Sequence, residues 1–542
     1  MKHSRIISLL VLLLCTGGCN KGVNGHVQDT VTTHGIIPLP LQADFSKGYF
    51  RADSTIAISG DENFSRAISV IADAFQGALK GTLQMSTDTA GKPGVRLETD
   101  PSLTIEGYTI SVSGNKIRIR AKTAAGAFYA AQTLRQMIWS STSGVSASSF
   151  ILRNIEVKDA PKYAWRGFHI DLSRHLFTKE YIESVIDQLA YYKINKLHLH
   201  LSDDQGWRIE ISQYPLLTSV GGWRTFNSYD STCLARSSAD SRYEIDSRFI
   251  STTDGKPVYG GSFTKQDIAE IVNYAAASFI EVVPEIDMPG HMTAAIMAYP
   301  YLSCTGSQGW GSEFSYPVCP CSASVMDFCH GVYDEIATMF PSEYVHLGSD
   351  EVNLDTWKNS DACQSFMTAN NLKTAKDIQS WFVADMQHYL EAKGKKVVVW
   401  DDVIDGTAGS DLVMMYWRDW VTDSPARCAA NGNSIILAPW SPFYISSEHT
   451  DKSLQDLYDY DPEKVLPVGV TGKVIGLQTC LWTEEIPSES MFEYLVYPRM
   501  QALSEVAWGA GRDWVTFRIR LESHLKFMQS KNIRFRKPGW AQ

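Results

Sequence analysis

The 542-residue sequence has no block or stripe of Lys and Arg. With 49 basic against 60 acidic residues and a formal net charge of −11, a nucleic-acid partner is not expected. Beyond Leu14 there is no apolar run long enough to span a bilayer. No apolar strand is followed by the Gly-rich turn that cradles phosphate, which argues against an open, doubly wound nucleotide-binding sheet. The chain has ten cysteines, but Cys319-Pro320-Cys321 is too tight for the usual zinc ligand pair. Flat aromatic surface is what the chain has in quantity. Its 15 Trp and 24 Tyr suit sugar rings as well as core packing.

The N-terminus has the form of an export signal. Lys2 and Arg5 precede an apolar core from Ile6 to Leu14, and Thr16-Gly17-Gly18-Cys19 comes after it. The last four residues resemble a bacterial lipoprotein processing site, with Thr16 where Leu is more usual. Residues 1–18 are therefore expected to be a signal peptide, Cys19 the lipidated first mature residue, and 19–35 a flexible tether. Plain secretion is the alternative. Either way the protein is expected to be exported, periplasmic or on the cell surface, and to meet a membrane only through that lipid. Such a compartment permits disulfides, and Cys304, Cys319, Cys321 and Cys329 cluster in one loop-rich stretch, where one or two bridges are expected with connectivity open.

Two patterns divide the remainder. Residues 36–159 alternate short strands with two helical stretches, including a hairpin from Tyr108-Thr109-Ile110-Ser111-Val112 to Lys116-Ile117-Arg118-Ile119-Arg120, and read as a small α+β domain. From 160 to 542, strands rich in Val, Ile and Leu alternate with amphipathic helices. Eight strands are expected: Gly167–Leu172, Lys196–Leu201, Ile280–Ile286, Tyr344–Leu347, Lys396–Val399, Leu412–Met415, Ser434–Leu437 and Val474–Thr479. Eight such units predict an α/β fold, a (β/α)8 TIM barrel preceded by the smaller domain.

In such a barrel, chemistry gathers at the C-terminal ends of the strands. The residues there are Asp171 with Ser173-Arg174-His175, then His198, His200 and Asp203-Asp204, then Glu285, Asp287 and Pro289-Gly290-His291. Strand four ends in Asp350-Glu351. The later strands bring Trp400-Asp401-Asp402, Tyr416-Trp417, Trp440 with Tyr444, and Trp482-Thr483-Glu484. Carboxylates, one arginine and several tryptophans around one mouth fit carbohydrate cleavage, which needs a proton donor for the leaving oxygen and stabilisation of the anomeric cation. Adjacent acids are too close in sequence to flank a sugar ring as acid and nucleophile. If both serve one reaction, the substrate supplies the nucleophile. Two rivals are a metal-dependent barrel hydrolase, suggested by His198-Leu199-His200, and a non-catalytic glycan-binding barrel.

The stretches Trp165–His175, Lys196–Arg208, Pro284–His291 and His346–Glu351 together resemble glycoside hydrolase family 20, the β-N-acetylhexosaminidases. Residues 36–159, with Glu106-Gly107-Tyr108 and Gly126-Ala127-Phe128-Tyr129, resemble the non-catalytic domain that precedes the barrel in that family. The resemblance implies a retaining, substrate-assisted hydrolysis of terminal N-acetylhexosamine, with no cofactor or metal. It implies Glu351 as general acid/base and Asp350 as the residue that orients the 2-acetamido group. Tyr444 would bond the acetamido oxygen, Trp400, Trp417 and Trp482 would enclose its methyl, and Arg174 and Glu484 would bind sugar hydroxyls. Asp203 and His291 would form a network behind Glu351. This chain departs from the family pattern at Tyr444-Ile445-Ser446, where many members have Tyr-x-Asp, and carries Ser349 where Gly is frequent.

Overall fold

The structure, a computed structural model, describes residues 35–80, 93–306, 314–509 and 511–541. The expected signal peptide, Cys19 and nearly all of the tether lie outside the described residues. Among the described residues no helix is long and apolar enough to cross a membrane.

The N-terminal part is a six-stranded mixed sheet. From one edge its strands are Gln42–Asp53, Ser149–Asp159, Tyr108–Ser113, Lys116–Ala121, Gly94–Thr99 and Ala57–Gly60. The expected hairpin pairs Ser113 with Lys116 across Gly114-Asn115, and Gly114 takes the positive φ (58°) such a tight turn requires. Along Lys116–Ala121 exposed and buried residues alternate strictly, so one face of the sheet is covered. Helices Ser65–Ala78 and Ala124–Thr142 pack on each other, and the second packs on the central strands. Buried polar contacts tie this part to the barrel. Arg166 Nη2 donates to Glu106 at 2.8 Å, and Asp159 accepts from Lys193 Nζ (3.1 Å) and Trp508 Nε1 (3.0 Å).

Eight parallel strands close the barrel in chain order: Trp165–Asp171, Lys196–His200, Glu281–Glu285, Tyr344–His346, Lys396–Trp400, Val413–Tyr416, Ser434–Leu437 and Val474–Leu481. The strand ends differ from the sequence expectation by one or two residues, and the reason lies in the ladder. Leu172, Leu201 and Leu347 fall just past the strands, yet their N–H groups still bond to His200, Glu285 and Val398 of the next strand (3.1, 3.1 and 2.8 Å). The periodic apolar residues Ile182, Val185, Ile186 and Leu189 are buried on helix Lys179–Tyr191, and Ile268, Ile271, Val272 and Ala275 on helix Lys265–Ala276. Between strands two and three the chain adds a small antiparallel sheet, Trp223–Thr225, Lys256–Gly260 and Ile250–Thr253, which the sequence pattern did not reveal. Its Tyr259 hydroxyl accepts from Leu176 N (2.7 Å), bracing the loop after strand one.

Two disulfides form, Cys304–Cys319 and Cys321–Cys363. The clustered cysteines therefore recruit one partner from outside, Cys363, while Cys329 stays free. Cys329 lies wholly buried on helix Ala323–Met339, where it packs with the hydrophobic core.

Candidate active site

The strand ends bring the expected residues to one mouth, and Asp203 sits at the centre of their polar contacts. Its Oδ2 meets Arg174 Nη2 at 2.7 Å and His200 Nε2 at 2.9 Å, while its Oδ1 lies 3.2 Å from His291 Nδ1. Burial opposes ionisation, but Arg174 and His291 outweigh it and hold the Asp203 carboxyl well below the usual range. Arg174 is fixed on three sides, by Asp203, by Asp171 (3.2 Å) and by Gln205 Oε1 (2.7 Å), and reaches Glu484 at 3.9 Å. Burial also disfavours its charge, yet Asp203, Asp171 and Glu484 keep it a cation.

On its other side the His291 ring faces the acid pair. Nε2 stands 3.4 Å from Glu351 Oε2 and 3.9 Å from Asp350 Oδ2. Burial would lower the His291 pKa, but Asp203, Asp204 and Glu351 push it well above the ordinary imidazole value. A chain of contacts thus runs from Asp203 through a cationic His291 to Glu351. Asp204, a neighbour of that chain, accepts from Thr293 Oγ1 (2.7 Å) and Ser315 N (2.8 Å) and anchors the loop that carries His291.

The acid pair sits on unusual backbone. Gly348, Ser349 and Glu351 all have positive φ, at 69°, 71° and 48°. For the two non-glycine residues this costs about 1 kcal/mol or more each, and it persists only where the surroundings hold it. They do hold it. Ser349 N donates to Asp287 Oδ1 (3.0 Å), Ser349 Oγ to Met288 O (2.6 Å), and Gln379 Nε2 to Ser349 O (2.8 Å). At Gly348 the Asp287 carboxylate fills the space a Cβ would need, so glycine is required there while Ser is accommodated at 349. Asp350 is buried, and its Oδ1 has no hydrogen-bond partner within the chain. Burial, with Asp287, Asp402 and Glu351 nearby, holds its carboxyl well above the usual range against the pull of His291. Burial likewise pushes Asp287 up to about 7 and Asp402 up to about 6. An unpartnered, buried acceptor is a group built to meet a donor from a ligand.

The aromatic residues form a walled pocket over the barrel core. Ring centroids lie 5.9 Å apart for Trp400 and Trp482, 6.0 Å for Tyr444 and Trp482, and 6.1 Å for Trp417 and Tyr444. Each wall is anchored. Trp400 Nε1 donates to Glu285 Oε1 (2.8 Å), Trp417 Nε1 to Asp402 Oδ2 (2.7 Å), and Trp482 N to Ser446 Oγ (2.7 Å). The Ser446 hydroxyl, where the family often has Asp, is thus engaged in holding the third tryptophan. Burial keeps the Tyr444 phenol protonated, so its O–H is a donor. Arg174 lies over the Trp482 ring at 5.2 Å, joining the polar and aromatic halves.

Below the pocket lies a wholly buried set of side chains, His169, His198, His200, Glu285 and His346. By spacing alone, His198, Glu285 and His346 could hold a metal ion, as could His169, His200 and Glu285. Some of their polar atoms are hydrogen-bonded within the chain, whereas both ring nitrogens of His169 and the Nε2 atoms of His198 and His346 have no hydrogen-bond partner there. His200 bridges Glu285 (2.6 Å) and Asp203 (2.9 Å), and His198 Nδ1 accepts from Gln478 Nε2 (3.0 Å). Sequence reasoning placed Glu285 and Asp402 at strand ends without giving them a task. An acidic residue at the end of an apolar strand was the only signal available, and it does not say which tryptophan the acid holds.

A parallel (β/α)8 barrel whose mouth joins an acid pair, an arginine–carboxylate network and a tryptophan-walled pocket defines a glycoside hydrolase. The chain belongs to glycosyl hydrolase family 20. The family's catalytic domain matches residues 163–510, and its domain 2 matches residues 33–160. Over 98% of its length the chain is 31% identical to a beta-hexosaminidase of Porphyromonas gingivalis, of which it covers 68%. It is 30% identical to a beta-N-acetylhexosaminidase of Cellulomonas fimi, over 92% of this chain and 95% of that one. Among solved structures it is similar to a family 20 exo-β-N-acetylglucosaminidase of Vibrio harveyi in complex with N-acetylglucosamine. That likeness has a TM-score of 0.80 and 27% identity, and covers 93% of this chain and 79% of the other.

Proposed function

We propose that the protein is a β-N-acetylhexosaminidase that removes terminal non-reducing N-acetylhexosamine from glycans with retention of configuration. The observation that supports this best is the adjacency of a buried, unpartnered Asp350 and a mouth-facing Glu351 beside a tryptophan-walled pocket. In the first step the acetamido carbonyl oxygen attacks the anomeric carbon. The bond to the leaving oxygen breaks, its electron pair stays on that oxygen, and Glu351 delivers the proton. Asp350 accepts the amide N–H and stabilises the positive charge that develops on the oxazolinium ring, while Tyr444 donates to the acetamido oxygen. Trp400, Trp417 and Trp482 enclose the methyl and exclude water. In the second step Glu351 takes a proton from water as it attacks the anomeric carbon from the face the leaving group vacated, and the bond from that carbon to the acetamido oxygen breaks, its electron pair returning to the amide.

Arg174 and Glu484 bind sugar hydroxyls in this scheme, and Asp203 and His291 hold Glu351 in place. Export, lipid attachment at Cys19 and a periplasmic or cell-surface location belong to the same proposal and rest on the sequence of the N-terminus. The test is release of nitrophenolate from 4-nitrophenyl N-acetyl-β-glucosaminide by the purified protein. Rapid release supports the enzyme. Binding of the sugar without release would mean a glycan-binding barrel.

A further inference from the structure

The residues assigned to the sugar are flanked by side chains that the chemistry does not use. Arg174 is followed by His175, and Thr483 lies between Trp482 and Glu484. These neighbours zip the loop after strand one to the loop after strand eight. Thr483 N donates to Asp171 Oδ2 (2.9 Å) and Thr483 Oγ1 to Asp171 O (3.1 Å). His175 N donates to Thr483 Oγ1 (3.0 Å), and His175 Nδ1 meets Thr483 O at 2.5 Å. A carbonyl oxygen can only accept, so Nδ1 carries a proton and one side of the ring is fixed.

The other side of the ring is held from outside the barrel strands. His175 Nε2 faces Asp230 Oδ1 at 3.3 Å, and both side chains are wholly buried. Asp230 belongs to helix Ser228–Ser237, which follows the first strand of the small antiparallel sheet. Its Oδ1 also accepts from Arg224 Nη2 (2.8 Å), and its Oδ2 from Asn227 N (2.8 Å) in a capping box at the helix start. Tyr259 fills the corner, with its ring 5.2 Å from that of His175 and the Arg224 guanidinium 4.5 Å above it. Burial opposes ionisation of Asp230, but His175 and Arg224 outweigh it and hold the carboxyl below the usual range.

We propose that Asp230 is a positioning residue for sugar recognition. Through His175 and Thr483 it sets where Trp482 and Glu484 stand relative to Arg174. The proposal rests on the hexosaminidase reading, in which those three residues meet the sugar. The small sheet and its helix, inserted between strands two and three, thereby become part of the framework of the binding site. The same helix makes a second contact with that loop, from Arg236 to Glu485 at 2.7 Å, but both partners are exposed and such a pair contributes little.

The experiment measures kcat and KM on 4-nitrophenyl N-acetyl-β-glucosaminide, and Kd for N-acetylglucosamine by calorimetry, below the melting temperature of every variant. Asp230→Ala is expected to raise KM and Kd together by roughly ten-fold, the effect of a small misplacement of binding groups. Contacts made alike in ground and transition states leave kcat within about two-fold. Asp230→Asn keeps an acceptor facing His175 and Arg224 and should recover most of the affinity. Arg236→Ala should match the wild type. If Asp230→Ala does not fold, Thr483→Val removes the hydroxyl in the middle of the relay and should raise KM and Kd in the same way. A variant that melts lower with KM and Kd unchanged, or loses kcat alone, would make Asp230 a purely structural residue and overturn the proposal. A wild-type protein that neither cleaves the glycoside nor binds the sugar would sink the hexosaminidase reading itself. A wild type that does both, beside variants of unchanged affinity, would sink the positioning role alone.

Discussion

The indole N–H of Trp400 donates to Oε1 of Glu285 at 2.8 Å, so one wall of the pocket hangs from a buried carboxylate at the C-terminal end of the third barrel strand. The other oxygen of Glu285 meets His200 (2.6 Å) and His198 (3.1 Å). Burial opposes its charge, yet the histidines His346, His200 and His198 hold the carboxyl well below the usual range. Glu285 thereby links the tryptophan wall to His200 and onward to Asp203.

Glu285→Gln keeps the shape and removes the charge. It leaves the imidazolium of His200 with one carboxylate instead of two. Breaking a buried pair of this kind costs about 3–5 kcal/mol. The variant is therefore expected to melt well below the wild type and to show a raised KM for N-acetyl substrates. An unchanged melting temperature would mean that the buried histidines do not depend on this charge.

Glu351→Gln removes the proton donor. Turnover should fall by roughly 10²–10⁴-fold on substrates with a poor leaving group such as a sugar. On 2,4-dinitrophenyl glycosides, whose leaving oxygen needs no proton, the fall in the first step should be far smaller. Asp203→Asn is expected to shift the pH–rate profile as well as kcat, because it removes the main partner that keeps His291 cationic beside Glu351. A steady-state comparison of the two leaving groups and a pH profile check both statements. Equal losses on both leaving groups in the Glu351 variant would remove its assigned role.

Two buried histidines with no assigned part in the chemistry set an acid limit on stability. Burial and Arg499 push His449 down to about 2, and burial with Arg520 pushes His524 down to about 3. Both are neutral in the folded protein, and in the unfolded chain they take up a proton near their ordinary value of about 6.5. A depressed folded value means that their stabilisation is complete above that pH and is lost as pH falls from there toward the folded values. The loss is about 1.4 kcal/mol per pH unit for each histidine. His524 accepts from or donates to the Tyr192 hydroxyl (3.1 Å) and faces Gly35 O (2.9 Å), contacts that glutamine can partly keep. Urea unfolding at pH 7.5 and 5 should show a smaller drop for His524→Gln than for the wild type. Identical slopes would show that His524 does not contribute.

The barrel was legible because its parallel strands are buried on both faces and read as apolar runs. Lys396–Trp400 and Ser434–Leu437 stand out in the sequence for that reason. The small sheet around Tyr259 was not legible. Its strand Ile250–Thr253 is largely exposed and has no apolar alternation to give it away. The acid pair, the tryptophans and Arg174 could be found from the residues that cap the C-terminal end of each strand. Their supports could not, since the partner of a side chain depends on strand register. Glu285 beneath Trp400, Asp402 beside Trp417 and Ser446 against Trp482 all belong to that class. Cys363 escaped notice for a similar reason, as its bridge to Cys321 spans 42 residues and ties a turn to the helix Asp361–Ala369.

The central claim is that the substrate's own amide is the nucleophile. The most direct measurement is kcat/KM on a series of aryl β-glucosaminides whose N-acyl group carries zero, one, two or three fluorines. Fluorine withdraws electrons from the carbonyl oxygen and leaves the leaving group and the sugar unchanged. If that oxygen attacks the anomeric carbon, the rate must fall steeply with each fluorine. A flat series would mean that a protein carboxylate or water attacks instead, and the division of labour assigned to Asp350 and Glu351 would be wrong.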